Sequence, residues 1–275
     1  MLAFPNCKIN LGLNIICKRA DGFHDIETVF YPILKLHDAL EILPSNTQTS
    51  LVDFKMSGPV VDGDRASNLC MKAYELLQKD YPEMPAIQMH LHKAIPMGAG
   101  LGGGSADGAF TLQLMNDVFH LKLSNEQLIN YALQLGSDCP FFIINKPCFA
   151  TGRGEVMNEL PFHLSGYFIV LINPGIHINT GWAFGQITPQ QPLTDLKQRI
   201  QQPIETWKDL VKNDFEPAVI NSHPIIGTIK ERLYQNGAVF ASMSGSGSTV
   251  YGIFSADKTP AAKLFPQFLE LHLAL

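Results

Sequence analysis

The fold of this chain is decided by the stretch Pro96-Met97-Gly98-Ala99-Gly100-Leu101-Gly102-Gly103-Gly104-Ser105-Ala106. It lies between a segment whose polar and apolar residues alternate as in a strand and a segment with helical spacing. Glycines leave backbone N–H groups open to an anion, and the following helix adds the positive end of its dipole. This stretch, called the glycine loop below, therefore predicts a binding site for a polyphosphate.

Several known loops share part of this pattern. Gly98, Gly100 and Gly103 match G-x-G-x-x-G, which leaves a nicotinamide-dependent oxidoreductase as an alternative. That fold needs a strand ending in an acidic residue about 20 residues further on, whereas residues 120–124 lead into a second helical segment. The chain has no Gly-Lys-Ser/Thr, His-Arg-Asp or Asp-Phe-Gly motif. A loop that binds nothing is disfavoured, because ordering so many glycines costs conformational entropy.

Composition sets the broad class. The 275 residues suffice for one large domain or two medium ones, and 16% charged with 46% hydrophobic residues is typical of a globular protein. The net charge of -5 argues against a general nucleic-acid binder. No apolar run is long enough for a bilayer and the N-terminus does not resemble a signal peptide, so we expect a cytoplasmic protein. The five cysteines form no C-x-x-C pair, which favours reduced thiols over a disulfide framework, and no metal ligands are predicted.

Periodicity and turn signals predict an order of elements. Strands are expected at residues 8–16, 27–33, 39–43, 87–93 and 167–172, helices at 105–120 and 124–135, and a hairpin with a glycine turn at 237–254. Residues 64–69 are expected to open a further helix, with Ser67 or Asn68 as its N-cap. A domain boundary is expected between residues 150 and 165.

The glycine loop resembles the phosphate loop of the GHMP kinases, which include galactokinase, homoserine kinase, mevalonate kinase and phosphomevalonate kinase. Residues 243–249 (MSGSGST) resemble the C-terminal glycine motif of that superfamily, and the N-terminal strand with its lysine matches as well. Within the superfamily the resemblance is closest to the 4-diphosphocytidyl-2-C-methyl-D-erythritol kinases. It is carried by residues 8–11 (KINL), 19–24 (RADGFH) and 135–142 (LGSDCPFF), with Phe23 where that family usually has tyrosine.

The resemblance implies an α+β, two-domain GHMP-kinase fold. An N-terminal ATP-binding and catalytic domain similar to ribosomal protein S5 domain 2 would span residues 1–155, and a ferredoxin-like domain residues 156–275. The implied reaction is the ATP- and Mg²⁺-dependent phosphorylation of the 2-hydroxyl of a cytidine diphosphate substrate in the non-mevalonate isoprenoid precursor pathway. The implied partner is that small molecule alone, with no nucleic acid or membrane, and the chain is expected to be a monomer or weak homodimer.

The resemblance also assigns roles to residues. Asp138 is implied as general base and Lys8 as its charge partner. The residues implied to bind ATP are the glycine loop with Ser67, Asn68, Leu69, Lys93, Ser244, Gly245 and Gly247. Those implied to bind the cytidylyl substrate are Asn10, Phe23, His24, Thr180 and Phe184.

Each of these positions also has a purely structural interpretation. Asp138 and Ser105 are suited to N-caps, Lys8 to an exposed strand position, and Phe184 to the core. Two alternatives from the sequence remain besides the oxidoreductase. One is another GHMP kinase of the homoserine or mevalonate type, against which residues 19–24 argue. The other is a nucleotide-binding module without catalysis, which the presence of Lys8 and Asp138 gives no reason to prefer.

Overall fold

A computed structural model describes residues 1–45, 51–58 and 67–275 of the chain. These residues form two compact units. The first unit comprises residues 1–7, 32–97 and 102–146, and the second comprises residues 8–31, 98–101 and 147–275. The chain therefore passes between the units several times, because residues 8–31 and four residues of the glycine loop group with the C-terminal part. The division of the chain into domains at residues 1–155 and 156–275 stays a prediction.

The first unit is a four-stranded sheet with helices. Its strands are β1 (Leu2–Ala3), β4 (Ala39–Pro44), β5 (Val52–Ser57) and β6 (Ile87–His92), in the order β1-β4-β6-β5. Its helices are α1 (Leu69–Asp80), α2 (Gly103–Val118), α3 (Asn125–Leu135) and α4 (Cys139–Ile144). β5 runs parallel to β6, and the other pairs are antiparallel. Strict alternation in β6 buries Ile87, Met89 and Leu91, as the sequence predicts.

Local signals explain the helix ends of the first unit. Asn68 caps α1 by accepting a hydrogen bond from the N–H of Cys70 at 2.8 Å. Ser124 and Gln127 form a capping box at the start of α3, and Gly136 follows its last residue. The expected start of α2 at Ser105 was wrong, since the helix begins at Gly103. Of the residues expected to open α1, 64–66 lie outside the described part of the chain.

The second unit holds two sheets. The first has the order β2-β3-β7-β8, with β2 (Asn6–Lys18), β3 (His24–His37), β7 (Cys148–Thr151) and β8 (Val156–Glu159). β2 and β3 are continuous with the first unit at residues 6–7 and 32–37. The second is antiparallel and has the order β10-β11-β9-β12, with β9 (Tyr167–Asn173), β10 (Phe240–Met243), β11 (Val250–Ser255) and β12 (Leu269–Ala274). β12, which the sequence analysis did not predict, pairs with β9 along its whole length.

The helices of the second unit cluster between β9 and β10. They are α5 (Thr180–Gly185), α6 (Leu196–Ile200), α7 (Trp207–Leu210), α8 (Glu216–Ser222) and α9 (Pro224–Gln235). Ile229 and Leu233 of α9 share a buried core with Val170 and Ile172 of β9. Numbered along the chain, the four strands of the second sheet lie in the order 4-1-3-2, as in a ferredoxin-like domain. The second crossover departs from that pattern, because it carries only a short 3-10 turn at Ala256–Lys258.

Candidate active site

Buried charges in the first unit fix the residues that flank the glycine loop. Lys93, just before the loop, pairs with Asp38 and with Asp107 of α2, whose carboxylate lies 2.7 Å from the ammonium. Asp38 also accepts hydrogen bonds from the backbone N–H groups of Ala94 and Ile95, at 2.6 and 2.8 Å. The chain before the loop and the helix after it are therefore tied to one cluster.

Two carboxylates and one ammonium are buried together in this cluster, and their interactions shift the pKa values of Asp107 and Lys93. Burial raises the pKa of Asp107 to about 8, with Lys93 opposing the rise and Asp38 adding to it. Burial alone would lower the pKa of Lys93, but Asp107 and Asp38 together raise it above its ordinary value. Lys93 is predicted to bind the nucleotide. In the structure its ammonium is engaged by carboxylates, and its contact with ATP stays a prediction.

Residues 98–101 of the glycine loop are hydrogen-bonded to other segments of the second unit, to which they belong. Lys8 N–H donates to Leu101 O at 2.9 Å, and Thr249 N–H donates to Ala99 O at 3.2 Å. The hydroxyl of Ser244 donates to Gly100 O at 2.8 Å. The hairpin turn between β10 and β11, called the second glycine turn below, thus holds Ala99 and Gly100 through one backbone and one hydroxyl hydrogen bond.

The glycine loop leads into α2 through a left-handed residue. Gly102 is the N-cap with φ 71°, and no side chain caps the helix. Ser105 is therefore a first-turn residue rather than the N-cap, and its hydroxyl donates a hydrogen bond to the sulfur of Cys139. The first N–H groups of a helix need partners from outside it, which suits an anion.

Lys8 and Asn10 form a buried polar cluster on β2. The ammonium of Lys8 donates to Asn10 Oδ1 at 2.6 Å and lies 4.9 Å from the centre of the Phe30 ring. Asn10 Nδ2 donates to Thr28 at 2.8 Å, so both ends of the amide have partners in the protein. Lys8 is only 4% exposed, which rules out the exposed strand position. Asn10, 2% exposed, orients Lys8, and its predicted contact with the cytidine end stays a prediction.

Asp138 occupies the N-cap position of α4, but its side chain makes no capping hydrogen bond. The structural interpretation therefore holds for the position of Asp138, although its side chain does not cap the helix. The neighbouring Cys139 is buried, which raises the pKa of its thiol to about 12 and keeps it protonated. Asp138 belongs to the first unit and Lys8 to the second. Their pairing stays a prediction.

Residues 19–24, called the aromatic turn below, form a loop fastened by its own side chains. Arg19 pairs with Asp21 at 3.1 Å and with Asp25 at 2.9 Å, and Asp21 accepts from the N–H of Phe23 at 3.0 Å. The ring of Phe23 is 54% exposed, and the guanidinium of Arg153 lies 4.9 Å from its centre. The turn thus displays an aromatic face, and the sequence analysis did not select Arg153.

His24 and Phe184 form a stacked ring pair, with centroids 4.7 Å apart and planes 15° from parallel. The structure brings together these two residues, which are 160 positions apart in the chain and were both assigned to the substrate. The hydroxyl of Thr180, at the start of the same helix α5, lies 3.0 Å from that of Ser246 in the second glycine turn. Phe184 is half-buried, so it contributes to the core as well as to this pair.

Sequence reasoning passed over several residues that shape the site. Asn213 hydrogen-bonds the second glycine turn and Glu216 hydrogen-bonds the strand that leads into it. Both lie in a stretch that offered only a helix-rich composition. Asp107 had a better signal, since it is a lone acid among the small apolar residues of a helix face. Within the described part of the chain, no three His, Cys, Asp or Glu side chains are grouped as metal ligands.

Known proteins similar to this chain show to which family it belongs. Residues 68–146 match the GHMP kinase N-terminal domain, and residues 195–270 match the GHMP kinase C-terminal domain. A 4-diphosphocytidyl-2-C-methyl-D-erythritol kinase of Bacteroides thetaiotaomicron is 49% identical over 94% of both chains. The chain belongs to the GHMP kinases. A kinase of the same name from Cytophaga hutchinsonii is 48% identical over 93% of both chains.

Solved structures agree on the fold. The crystal structure of a 4-(cytidine 5'-diphospho)-2C-methyl-D-erythritol kinase superposes with a TM-score of 0.77 at 27% identity, covering 92% of this chain and 89% of that one. The mevalonate kinase of Methanococcus jannaschii, 13% identical, superposes with a TM-score of 0.70 over 100% and 98% of the two chains. The predicted two-domain α+β GHMP-kinase fold is confirmed.

Family membership also decides the class of activity. The chain is an ATP-dependent small-molecule kinase. The oxidoreductase alternative is therefore wrong, and the binding of the ATP phosphates by the glycine loop stays a prediction. In the described residues, no helix of this kinase is long and apolar enough to cross a membrane.

Proposed function

We propose that this kinase transfers the γ-phosphoryl group of ATP to the 2-hydroxyl of 4-diphosphocytidyl-2-C-methyl-D-erythritol. The aromatic turn carries the proposal. It displays Phe23 next to His24, and His24 stacks on Phe184. An exposed ring beside a histidine suits a pyrimidine base, since the ring can stack on the base and the imidazole can hydrogen-bond its polar edge. The names of the relatives described above support the same substrate, and with it a place in the non-mevalonate isoprenoid precursor pathway.

The phosphoryl donor is proposed to bind at the glycine loop. The backbone N–H groups of residues 98–105, which include the first turn of α2, are the proposed donors to the phosphates, and Asn68 and Leu69 are proposed to bind the nucleotide as well. The second glycine turn contributes Ser244, Gly245 and Gly247. Mg²⁺ enters as the counter-ion of ATP, held largely by phosphate oxygens and water. Ser105 in the first turn of α2 offers a hydroxyl to the ion or to a phosphate.

The chemical step needs an acceptor oxygen, a proton acceptor and charge stabilisation. Asp138 takes the proton of the 2-hydroxyl while that oxygen forms a bond to the γ-phosphorus. The bond from the γ-phosphorus to the bridging oxygen breaks, and ADP leaves. Lys8 supplies positive charge to Asp138 and to the transferring group, and Asn10 fixes the direction of its ammonium.

The substrate is tested by measuring ADP release from purified protein with ATP and Mg²⁺. The acceptors are 4-diphosphocytidyl-2-C-methyl-D-erythritol, homoserine and mevalonate, each at several concentrations. We expect turnover with the cytidylyl substrate alone. Turnover with one of the other acceptors would contradict the proposal and make the chain a GHMP kinase of a different specificity.

The base is tested by Asp138→Asn. This change keeps the shape of the side chain and removes its ability to take a proton, so we expect kcat to fall by about 100-fold or more, with the affinity for ATP retained. Asp117→Asn, at an exposed position on α2, is the matched control and should leave kcat unchanged. Near-normal turnover of Asp138→Asn would remove Asp138 from this role.

A further inference from the structure

The segment Asn213-Asp214-Phe215-Glu216, which ends at the first residue of α8, carries buried polar groups that have no part in the reaction proposed above. Asn213 and Glu216 are 2% and 7% exposed. Burying an amide and a carboxylate costs free energy unless they are hydrogen-bonded, so their partners indicate what the segment holds in place. The segment is joined to β2 by backbone bonds, from Leu13 N–H to Lys212 O at 2.8 Å and from Asp214 N–H to Leu13 O at 2.9 Å.

The side chain of Asn213 hydrogen-bonds the second glycine turn. Its Nδ2 donates to the carbonyl oxygens of Met243 and Gly245, both at 2.8 Å, while its Oδ1 accepts from Phe215 N–H at 3.0 Å. In a trans peptide the C=O and the next N–H point in opposite directions. Holding Gly245 O on Asn213 therefore turns the N–H of Ser246 away from the segment.

Glu216 fixes the strand that leads into this turn. Its carboxylate accepts from Met243 N–H at 2.7 Å and from the Ser242 hydroxyl at 2.9 Å. Lys230 of α9 neutralises it at 2.5 Å. Residues 242–245 are thus held by a fully hydrogen-bonded amide and by a paired carboxylate of one short segment.

The same segment supports the ring pair of the proposed substrate site. Phe215 packs edge-on against Phe184, with centroids 4.9 Å apart and planes 87° apart. Asp214 accepts from the N–H of Ile15 at 2.7 Å and from Asn14 Nδ2 at 3.2 Å, which fixes the strand leading to the aromatic turn.

We propose that residues 213–216 are positioning residues with two separable tasks, a claim that rests on the proposed function. Asn213 holds the second glycine turn in the form that receives ATP. Phe215 holds Phe184 against His24 in the form that receives the cytidine end. Neither side chain is assigned a contact with a substrate.

The test separates the two tasks by kinetics. Asn213→Asp keeps the shape and removes the donors to both carbonyls, so we expect kcat/KM for ATP to fall by about tenfold or more. KM for the cytidylyl substrate should stay within about twofold of the unsubstituted value. Phe215→Leu should do the reverse, raising KM for the cytidylyl substrate about fivefold and leaving KM for ATP unchanged.

Controls keep the outcomes distinct. Asn236→Ala removes another amide of the second unit that donates to a backbone carbonyl, that of Arg232, and should change neither KM. If Asn213→Asp fails to fold, Asn213→Ser is measured instead, and affinity for a non-hydrolysable ATP analogue is measured by calorimetry, which needs no acceptor. Equal losses in both substrates' parameters, or no kinetic change in a folded variant, would overturn the inference. If the unsubstituted kinase does not use the cytidylyl substrate, the proposed function fails, and the ATP measurement still tests Asn213.

Discussion

Two turns of the molecule use glycine in different ways, and the comparison shows what each turn tolerates. Gly100 in the glycine loop has φ +76°, and an added Cβ would lie 2.0 Å from Ser244 O. Gly22 in the aromatic turn has φ +87°, and a Cβ there would meet nothing within 4 Å. Both need the left-handed conformation, but only Gly100 is also enclosed by backbone. At Gly100 the glycine loop is packed against backbone, whereas at Gly22 the aromatic turn is open.

The ion pairs that anchor the two turns differ in burial as well. The glycine loop is flanked by Lys93 and Asp107, which are buried with Asp38. The aromatic turn is fastened by Arg19 and Asp21, whose side chains are 38% and 46% exposed. Exposed ion pairs contribute little to stability, while breaking a buried one is costly. We therefore expect substitutions at the glycine loop to be far more damaging.

The largest effect is expected for Gly100→Ala. The new methyl group would overlap backbone atoms of Ser244 and would also require an unfavourable φ, so the free energy of unfolding should fall by about 2–4 kcal/mol, with loss of ATP binding. Thermal unfolding and nucleotide titration measure both effects. For stability alone Gly104→Ala is the matched control, because a Cβ there meets nothing within 4 Å. Equal unfolding temperatures of Gly100→Ala and Gly104→Ala would show that the backbone around Gly100 does not restrict this position.

The next effect concerns the buried anchor and its pH dependence. The pKa of Asp107 is raised to about 8 in the folded protein against 3.8 in the unfolded chain, so the unfolded chain releases this proton first as pH rises. The contribution of Asp107 to the free energy of unfolding should therefore be greatest at low pH. It should fall as the pH rises towards 8, by up to about 1.4 kcal/mol per pH unit.

Asp107→Asn tests this directly, since the neutral amide has no proton to lose in that range. Urea unfolding between pH 6 and pH 9 should show a flatter stability profile for this variant than for the unsubstituted kinase. Asp117→Asn, at an exposed position of the same helix, should keep the original slope. A slope left intact by Asp107→Asn would show that another group titrates.

The aromatic turn should respond in binding rather than in stability. Phe23→Ala removes an exposed ring, so we expect KM for the cytidylyl substrate to rise about tenfold, as for the loss of one base stack, with KM for ATP unchanged. Phe4, which is 51% exposed, is the matched control, and Phe4→Ala should change neither value. Equal increases in both KM values would argue against stacking at Phe23.

The smallest effect is expected for Gly22→Ala. With open space around it, only the φ of +87° opposes the substitution, which costs about 1 kcal/mol. Gly166→Ala has φ +88° and open space as well, and it should cost the same. Chemical unfolding of both variants measures this. A much larger loss for Gly22→Ala would mean that the aromatic turn is as tightly packed as the glycine loop.

Much of this molecule follows from local sequence. The alternation of residues 87–92, the capping box at Ser124 and the glycines before α2 are short-range patterns, and each predicts its element because its physical cause lies within a few residues. The glycine loop could be selected for the same reason, whereas the aromatic turn was selected through the family resemblance. The start of α2 was misplaced, because Ser105 resembles a cap while Gly102 serves as one through its backbone conformation alone.

Only the tertiary structure decided which partners the site residues have. Ser244 bonds Gly100 across 144 positions, Lys93 meets Asp38 across 55, and Asn10 is enclosed by Lys8 and Thr28. The sequence determined that a glycine-rich loop lies between a strand and a helix and that a turn follows the first long strand, since these depend on backbone freedom and local hydrogen bonds. Which polar residues are buried as anchors depends on contacts between distant segments, and those form only when the chain has folded.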